Sequence, residues 1–192
     1  MARLFLFTIG VWCVVASPAD AQAAAGDVSG GYRFMNVSPA TYGRGWNADA
    51  SYYLGTRLAI VGDVGGSYKR DEHADVIGGV SFAGTTRINL HTYLGGVRVR
   101  LGQNAAVTPF AQALAGGAHV HGSAVVHALS GAVPDVTSAG GENNWAMALD
   151  GGVIVRPWRA LGVRVSAGYL RLFRDTTDHN AFRLNTAIVV PF

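Results

Sequence analysis

Residues 162–192 read GVRVSAGYLRLFRDTTDHNAFRLNTAIVVPF, two runs of alternating side chains joined by a short polar turn. In the last run, one set of alternate residues is mostly apolar: Phe182, Leu184, Thr186, Ile188, Val190 and Phe192. The intervening set is partly polar: Arg183, Asn185, Ala187 and Val189. Successive side chains of a β-strand point to opposite faces, so this run predicts a strand with one apolar face and one partly polar face.

The composition of the whole chain fits a membrane protein built from such strands. Its 192 residues are 49% hydrophobic and 14% charged, and 26 of them are glycine. Beyond the N-terminal segment, no apolar run approaches the roughly 20 residues that a membrane helix needs. A hydrophobic, charge-poor chain of this kind is typical of a β-barrel that turns its apolar face to lipid. The net charge of +3 comes from arginines scattered along strands, so nucleic acid is not an expected partner.

The N-terminal segment has the features of an export signal. Arg3 precedes an apolar run, Leu4–Val15, that is short for a membrane span, and Ala19-Asp20-Ala21 is a suitable cleavage site. We predict a signal peptide over residues 1–21, cleaved after residue 21 or 23, and one domain over residues 26–192. An N-terminal membrane anchor is the alternative. Cys13 is the single cysteine and lies in the signal, so we expect neither a disulfide nor a cysteine metal site in the mature chain.

The mature chain divides into eight alternating segments separated by turn residues. The predicted strands are 26–35, 45–54, 57–69, 87–101, 107–121, 143–157, 161–174 and 181–192. The connections after strands two, four and six are short and those after one, three and five are longer, as in barrels with periplasmic turns and surface loops. The fold prediction is all-β, an eight-stranded antiparallel up-and-down transmembrane β-barrel. The apolar stretch Val76–Phe82 leaves ten strands as an alternative.

The two strand faces distinguish a membrane barrel from a soluble ligand-binding barrel, which stays as a further alternative. One face carries aromatic residues near strand ends, the expected interfacial girdles: Trp46, Tyr52, Tyr93, Trp145, Tyr169, Phe182 and Phe192. The other face carries the charges: Arg33, Asp49, Asp63, Arg98, Arg100, Asp150, Arg156, Arg164 and Arg183. Eight strands leave an interior just wide enough for side chains, where charges are costly unless paired. We therefore predict an interior charge network in which Asp49, Asp63 and Asp150 each contact an arginine.

Several short segments, in their order along the chain, carry a resemblance to a known family. They are YLGGVR (93–98), PFAQ (109–112), LDGGV (149–153), GYLR (168–171) and FRLN (182–185). The chain resembles the small bacterial outer-membrane β-barrels of the outer membrane protein A and X type. The resemblance implies a monomer in the cell outer membrane, in contact with lipids and lipopolysaccharide, with Phe192 read by the barrel-insertion machinery. It implies no cofactor and no catalytic residue.

The expected role is therefore structural or surface-interactive, and non-enzymatic. The predicted loops 70–86 and 122–141 would carry the interaction. A narrow pore is one alternative, although an ion-selective channel needs a wider barrel.

One set of residues is a candidate catalytic site. His121 and Ser123 share a strand face, and Glu142 follows; some eight-stranded barrels are lipid A-modifying hydrolases that use a His-x-Ser pair with an acidic residue. The wider motif of those enzymes is missing here, so a lipid A hydrolase is kept only as an alternative. Two sets of side chains are candidate metal ligands, although we expect both to be solvated loop residues: His119, His121 and His127 for zinc or copper, and Asp71, Glu72 and Asp75 for calcium.

Overall fold

The computed structural model describes residues 25–37, 40–77, 80–102, 106–128, 136–158, 160–174 and 178–192, so the predicted signal peptide lies outside the described residues. The strands are β1 (Gly26–Val37), β2 (Ala40–Tyr42), β3 (Arg44–Tyr53), β4 (Leu58–Ile77), β5 (Val80–Arg100), β6 (Val107–Ala128), β7 (Val136–Trp158), β8 (Leu161–Phe173) and β9 (His179–Pro191). No helix in this part of the chain is long and apolar enough to cross a membrane.

The strands form one closed antiparallel sheet. β3 through β9 pair in chain order, and β1 pairs with both β3 and β9, which closes the barrel. The short β2 also pairs with β1, so β2 and β3 run along the same side of β1 with a break at Gly43. The barrel wall therefore has eight strands if β2 and β3 are counted as one, and we call each of these eight a stave. The prediction of an eight-stranded antiparallel barrel is confirmed, and the ten-stranded alternative is wrong.

The four central strands are much longer than predicted. β4 to β7 contain 20, 21, 22 and 23 residues, whereas β8 and β9 contain 13 each. The stretch 70–86 is not a loop, because the β4–β5 ladder continues to the Ile77–Val80 pair. The stretch 122–141 is mostly strand as well, because the β6–β7 ladder continues to the Val126–Val136 pair. Both loop predictions were wrong, because the described side chains of these stretches do not alternate between buried and exposed and so give no period of two.

These extensions form a separate feature of the molecule. They project at one end of the barrel. Gly26 and Phe192, where the first and last strands of the barrel meet, lie at the opposite end. We call them the strand wall and define it as residues 69–77 of β4, 80–88 of β5, 120–128 of β6 and 136–142 of β7.

Alternation along the staves separates an apolar outside from a filled inside. The predicted girdle residues all lie on the outer surface, 43–70% exposed, together with aliphatic side chains such as Val28, Ile60 and Ile188. Tyr93 and Trp145 are not near strand ends as predicted, because β5 and β7 continue into the strand wall beyond them. An apolar outer surface of this extent fits a hydrocarbon environment rather than water.

Candidate functional site

The interior of the barrel holds a charge-balanced cluster, which we call the lumen network. It consists of four aspartates and four arginines, each at most 6% exposed: Asp27, Asp49, Asp63, Asp150, Arg33, Arg98, Arg164 and Arg183. These side chains come from seven of the eight staves and point inward because they occupy the alternate positions to the lipid-facing residues. Buried charges are tolerated when they are paired and hydrogen-bonded, and equal numbers of the two signs meet that condition here.

Arg33 donates four hydrogen bonds inside the lumen network. Its Nη2 atom donates to both carboxylate oxygens of Asp63, at 2.9 and 3.0 Å. Its Nε and Nη1 atoms donate to Asn185 and Thr92, at 2.8 and 2.9 Å. Gly65 makes room for this guanidinium, because a Cβ at that position would collide with it. One arginine therefore ties three other staves to β1.

Asp49 is the acceptor for a second group of bonds. Its Oδ1 atom accepts from Arg98 Nη2 at 3.0 Å and from Arg164 Nη1 at 2.8 Å, and Arg164 also pairs with Oδ2. Ser29 donates to the same carboxylate at 2.6 Å. The negative charge of Asp49 is therefore shared between two arginines from distant parts of the chain.

Asp150 forms the third centre. It pairs with Arg183, whose Nε atom donates at 2.7 Å, and it accepts from Gln112 Nε2 at 2.8 Å. Gly168 lies directly across from this carboxylate, and a Cβ there would overlap it. Glycine is required at this position because the carboxylate fills the space that a side chain would occupy.

The structure adds one network member that the sequence prediction omitted. Asp27 is fully buried and lies 3.4 Å from Arg98 and 3.5 Å from Arg156, and it accepts hydrogen bonds from Ser51 and Tyr53. The signal was present in the sequence, because Asp27 has the same parity as Arg33 on β1. Arg100, predicted as interior, lies at this end with its guanidinium 3.4 Å from the Tyr53 ring centroid.

An apolar cluster occupies most of the half of the lumen nearer the strand wall, beside a few buried polar side chains such as Ser67 and Thr92. The buried side chains of the cluster are Met35, Val37, Tyr42, Val61, Leu90, Leu94, Leu114, Ala118, Ala146, Ala148, Leu170, Leu172 and Ala181. Above them is a cavity of about 540 Å³, which we call the mouth cavity. Its lining residues are Val37, Tyr42, Ile88, Leu90, Val120, Gly122, Gly140, Gly141, Glu142, Leu172, Arg174 and His179.

The enzyme-like residues are not brought together. His121 and Ser123 occupy outward positions on β6, whereas Glu142 lines the mouth cavity and accepts a hydrogen bond from Arg174 at 2.5 Å. His119 is bonded to Asn143, with 2.8 Å between Nδ1 and Oδ1. A base at His121 is thus separated from its supposed acidic partner by the thickness of the sheet.

The candidate histidine and carboxylate metal ligands do not converge either. Among the described residues, no group of three or more histidine, cysteine, aspartate or glutamate side chains is placed to hold a metal ion. Asp71 pairs with Lys69 at 2.6 Å, and Glu72 pairs with Arg70 at 2.7 Å. The side chains of His127 and Asp75 lie outside the described residues.

A cleft on the outside of the barrel, at the base of the strand wall, gathers positive charge. It has a volume of about 790 Å³, and its lining residues include Arg44, Tyr68, Lys69, Arg70, Asp71, Glu72, Arg87 and Asn89. We call it the cationic cleft. Arg70 and Arg87 are direct partners in the β4–β5 register. The Tyr68 hydroxyl accepts from Trp46 Nε1 at 3.0 Å, which links the cleft to the aromatic girdle below it.

Comparison with known proteins gives a likeness of fold. No family model matches the chain, and no curated protein sequence matches it. Ail, the attachment invasion locus protein of Yersinia pestis, solved in complex with the heparin analogue sucrose octasulfate, is 16% identical with a TM-score of 0.53, over 87% of this chain and 97% of Ail.

Two further solved structures are similar. Neisserial surface protein A is 12% identical with a TM-score of 0.48, over 87% of this chain and 96% of that one. The N-terminal β-barrel domain of Pseudomonas aeruginosa OprF is 12% identical with a TM-score of 0.48, over 89% and 100%. The closed sheet of eight staves and the structural match to Ail both show that the chain has the fold of the small eight-stranded outer-membrane β-barrels.

Proposed function

We propose that this protein is a monomeric outer-membrane barrel that contacts anionic saccharides at the cell surface and performs no catalysis. The apolar outer surface supports a membrane location, since lipid is the solvent that such a surface requires. The export signal expected in the sequence and Phe192, the expected contact with the insertion machinery, support the outer membrane in particular. Closure of β1 on β9 leaves no open edge within the lipid band, which supports a monomer.

The cationic cleft is the observation on which the surface role depends. Arg70 and Arg87 face each other across neighbouring strands, and like charges at such positions repel. Glu72 offsets Arg70 in part, but the pair is exposed, with side-chain exposures of 57% and 68%, and is therefore weak. A phosphate or sulfate group between the two guanidinium groups would remove the repulsion through charge-assisted hydrogen bonds.

Two sources of such groups are available to a protein at this surface. Lipopolysaccharide is one source, since its phosphate groups lie at the membrane surface and Trp46 of the aromatic girdle is hydrogen-bonded to Tyr68, which lines the cleft. A sulfated glycan on another surface is the second source. The likeness of fold to Ail, which was solved with a heparin analogue, makes sucrose octasulfate a suitable soluble probe.

The test is a titration of the barrel in phosphatidylcholine nanodiscs, with sucrose octasulfate in one arm and purified lipopolysaccharide in the other. We expect Arg70→Gln combined with Arg87→Gln to weaken binding by about tenfold or more, and added salt to weaken it further. Arg171→Gln is the matched control, since Arg171 is also exposed but is paired with Asp178 at 2.5 Å. Equal affinities for the wild type and the double variant would contradict the proposal, and the arm that responds identifies the source.

The location and the absence of catalysis have their own measurements. We expect the protein in the outer-membrane fraction, with a gel mobility that changes on heating as folded barrels do. Ser123→Ala should leave the lipid A mass profile unchanged in cells that express the protein. A soluble product, or a lipid A change that depends on Ser123, would contradict this part of the proposal.

A further inference from the structure

The mouth cavity is distinct from the cationic cleft, because it lies inside the barrel rather than on its outer surface. At about 540 Å³ it is within the roughly 300–1,000 Å³ range of small-molecule sites. Aliphatic side chains from several staves form its sides, with Ile88 and Leu90 from β5, Val120 from β6 and Leu172 from β8. Such a lining favours an apolar chain over water.

The floor of the mouth cavity is packed. Leu94, Leu114 and Leu170 lie in the same apolar cluster as Leu90 and Leu172, and all of them are at most 4% exposed. The lumen network fills the next layer with side chains bonded across the barrel. The cavity is therefore a pocket with its opening towards the strand wall, which suits binding rather than passage.

Apart from the Tyr42 hydroxyl, the polar side chains of the cavity come from β7 and from the adjoining ends of β8 and β9, on one side of its rim. Arg174 Nη2 donates to Glu142 at 2.5 Å, and His179 lines the same side. The Nε atom of Arg174 is buried and has no hydrogen-bond partner among the described residues. The side chain of Glu142 is 61% exposed against 26% for Arg174, so the carboxylate can turn to water while the guanidinium stays. The rim thus offers a donor that an anionic head group would satisfy.

From this arrangement we propose that the mouth cavity binds a single-chain amphiphile with a carboxylate head, in the manner of a medium-chain fatty acid. The alkyl chain lies against Leu90, Val120 and Leu172, and the carboxylate replaces Glu142 as the acceptor for Arg174. No bond is made or broken, so the site is a binding site only. The proposal is independent of the surface function, since it uses none of the cationic cleft.

The experiment uses the folded barrel in nanodiscs, because detergent would compete for an apolar pocket. Decanoate and decanol are added separately, and the resonances of the Arg174 Nε–H group and of the Leu90 and Leu172 methyl groups are followed by NMR. We expect decanoate to shift all three, and Arg174→Gln to weaken decanoate binding by about tenfold or more while changing decanol binding little.

Two further variants make the result specific to the cavity. Val120→Trp fills the pocket and should abolish binding of both ligands, with Leu172→Trp as a second filling variant; heat-modifiable gel mobility checks that each is folded. Arg171→Gln, on the outer face of the same strand, should change neither affinity. Methyl shifts that survive both filling variants would overturn the site, and equal decanoate affinity in Arg174→Gln would overturn the assignment of the head group. Sucrose octasulfate should leave these resonances unmoved, so this test and that of the surface function fail separately.

Discussion

Replacement of Asp63 by asparagine tests whether the lumen network stabilises the barrel. The Asp63 carboxylate accepts two bonds from Arg33 and lies 3.5 Å from Arg183 Nη1. Both arginines are 0% exposed, so neither guanidinium can turn to water when the charge of Asp63 is removed. The network then contains four buried arginines but only three aspartates. One positive charge is left buried without compensation.

The size of the effect follows from that imbalance. Removal of one partner of a buried ion pair costs about 3–5 kcal/mol. We therefore expect Asp63→Asn to lower the free energy of unfolding by about 3–5 kcal/mol. Asp71→Asn is the matched control, because the Lys69–Asp71 pair is similarly short but partly exposed, with side-chain exposures of 24% and 35%. A pair of that kind contributes at most about 1 kcal/mol.

The assay is urea unfolding of the barrel in lipid vesicles, followed by tryptophan fluorescence and by heat-modifiable gel mobility. A paired substitution sharpens the result: Arg33→Met with Asp63→Leu replaces the ion pair by apolar side chains, a change that is often neutral or stabilising. The double variant should therefore be more stable than Asp63→Asn alone. The reasoning is refuted if Asp63→Asn costs no more than Asp71→Asn, or if the double variant loses the sum of the losses in Arg33→Met and Asp63→Leu.

Three further predictions concern other parts of the molecule. Gly65→Val should cost about 1–3 kcal/mol in the same assay, because its side chain would collide with the guanidinium of Arg33; wild-type stability would contradict the close fit. The hydrogen bond from Arg171 lowers the pKa of Asp178, so their contact is present above that lowered pKa and is lost as the pH falls through it. An NMR titration of the Asp178 carboxyl should show a higher pKa in Arg171→Gln, and an unchanged value would refute the pairing. Trp145, which is 70% exposed on the outer surface, should be quenched by brominated lipids when it is the only tryptophan left, and failure to quench would place it outside the bilayer.

Alternation was enough to predict the barrel where one face meets lipid and the other meets a packed interior. The run from Phe182 to Val190 lies in β9 with the predicted parity, since any slip by one residue would turn Arg183 to the lipid. In the strand wall, neither face has to be apolar to contact lipid or to fill a packed interior. Arg70 and Glu72 are exposed on one face there, so this part of the sequence shows no period of two and predicts a loop instead.

The interior could be predicted only in part. The charged residues at the inward-facing alternate positions predicted a network. Its connections, however, depend on which staves face each other across the lumen. Local spacing in the sequence therefore gives no signal for a pair such as Arg164 and Asp49. The apolar part of the lumen also had a signal in the sequence. Phe110 and Leu114 share the inward face of Gln112, which makes the predicted strand 107–121 look irregular. Leu114 belongs to the apolar cluster nearer the strand wall, whereas Phe110 packs with Ile154 and Val189, its ring centroid 5.0 Å from the guanidinium of Arg98.

The bonds of Arg33 also constrain the order in which the barrel assembles. Its partner Asn185 lies 152 residues further along the chain, whereas Asp63 lies only 30 residues away. A sheet of β1, β3 and β4 can therefore form early with the charge of Arg33 already paired to Asp63, but the acceptor Asn185 arrives only with β9. An unclosed sheet that entered the bilayer would expose its arginines and its free edges to hydrocarbon. Joining of the first and last strands and passage into the membrane are thus expected to be one cooperative event, with a barrier set by the slowest long-range contact.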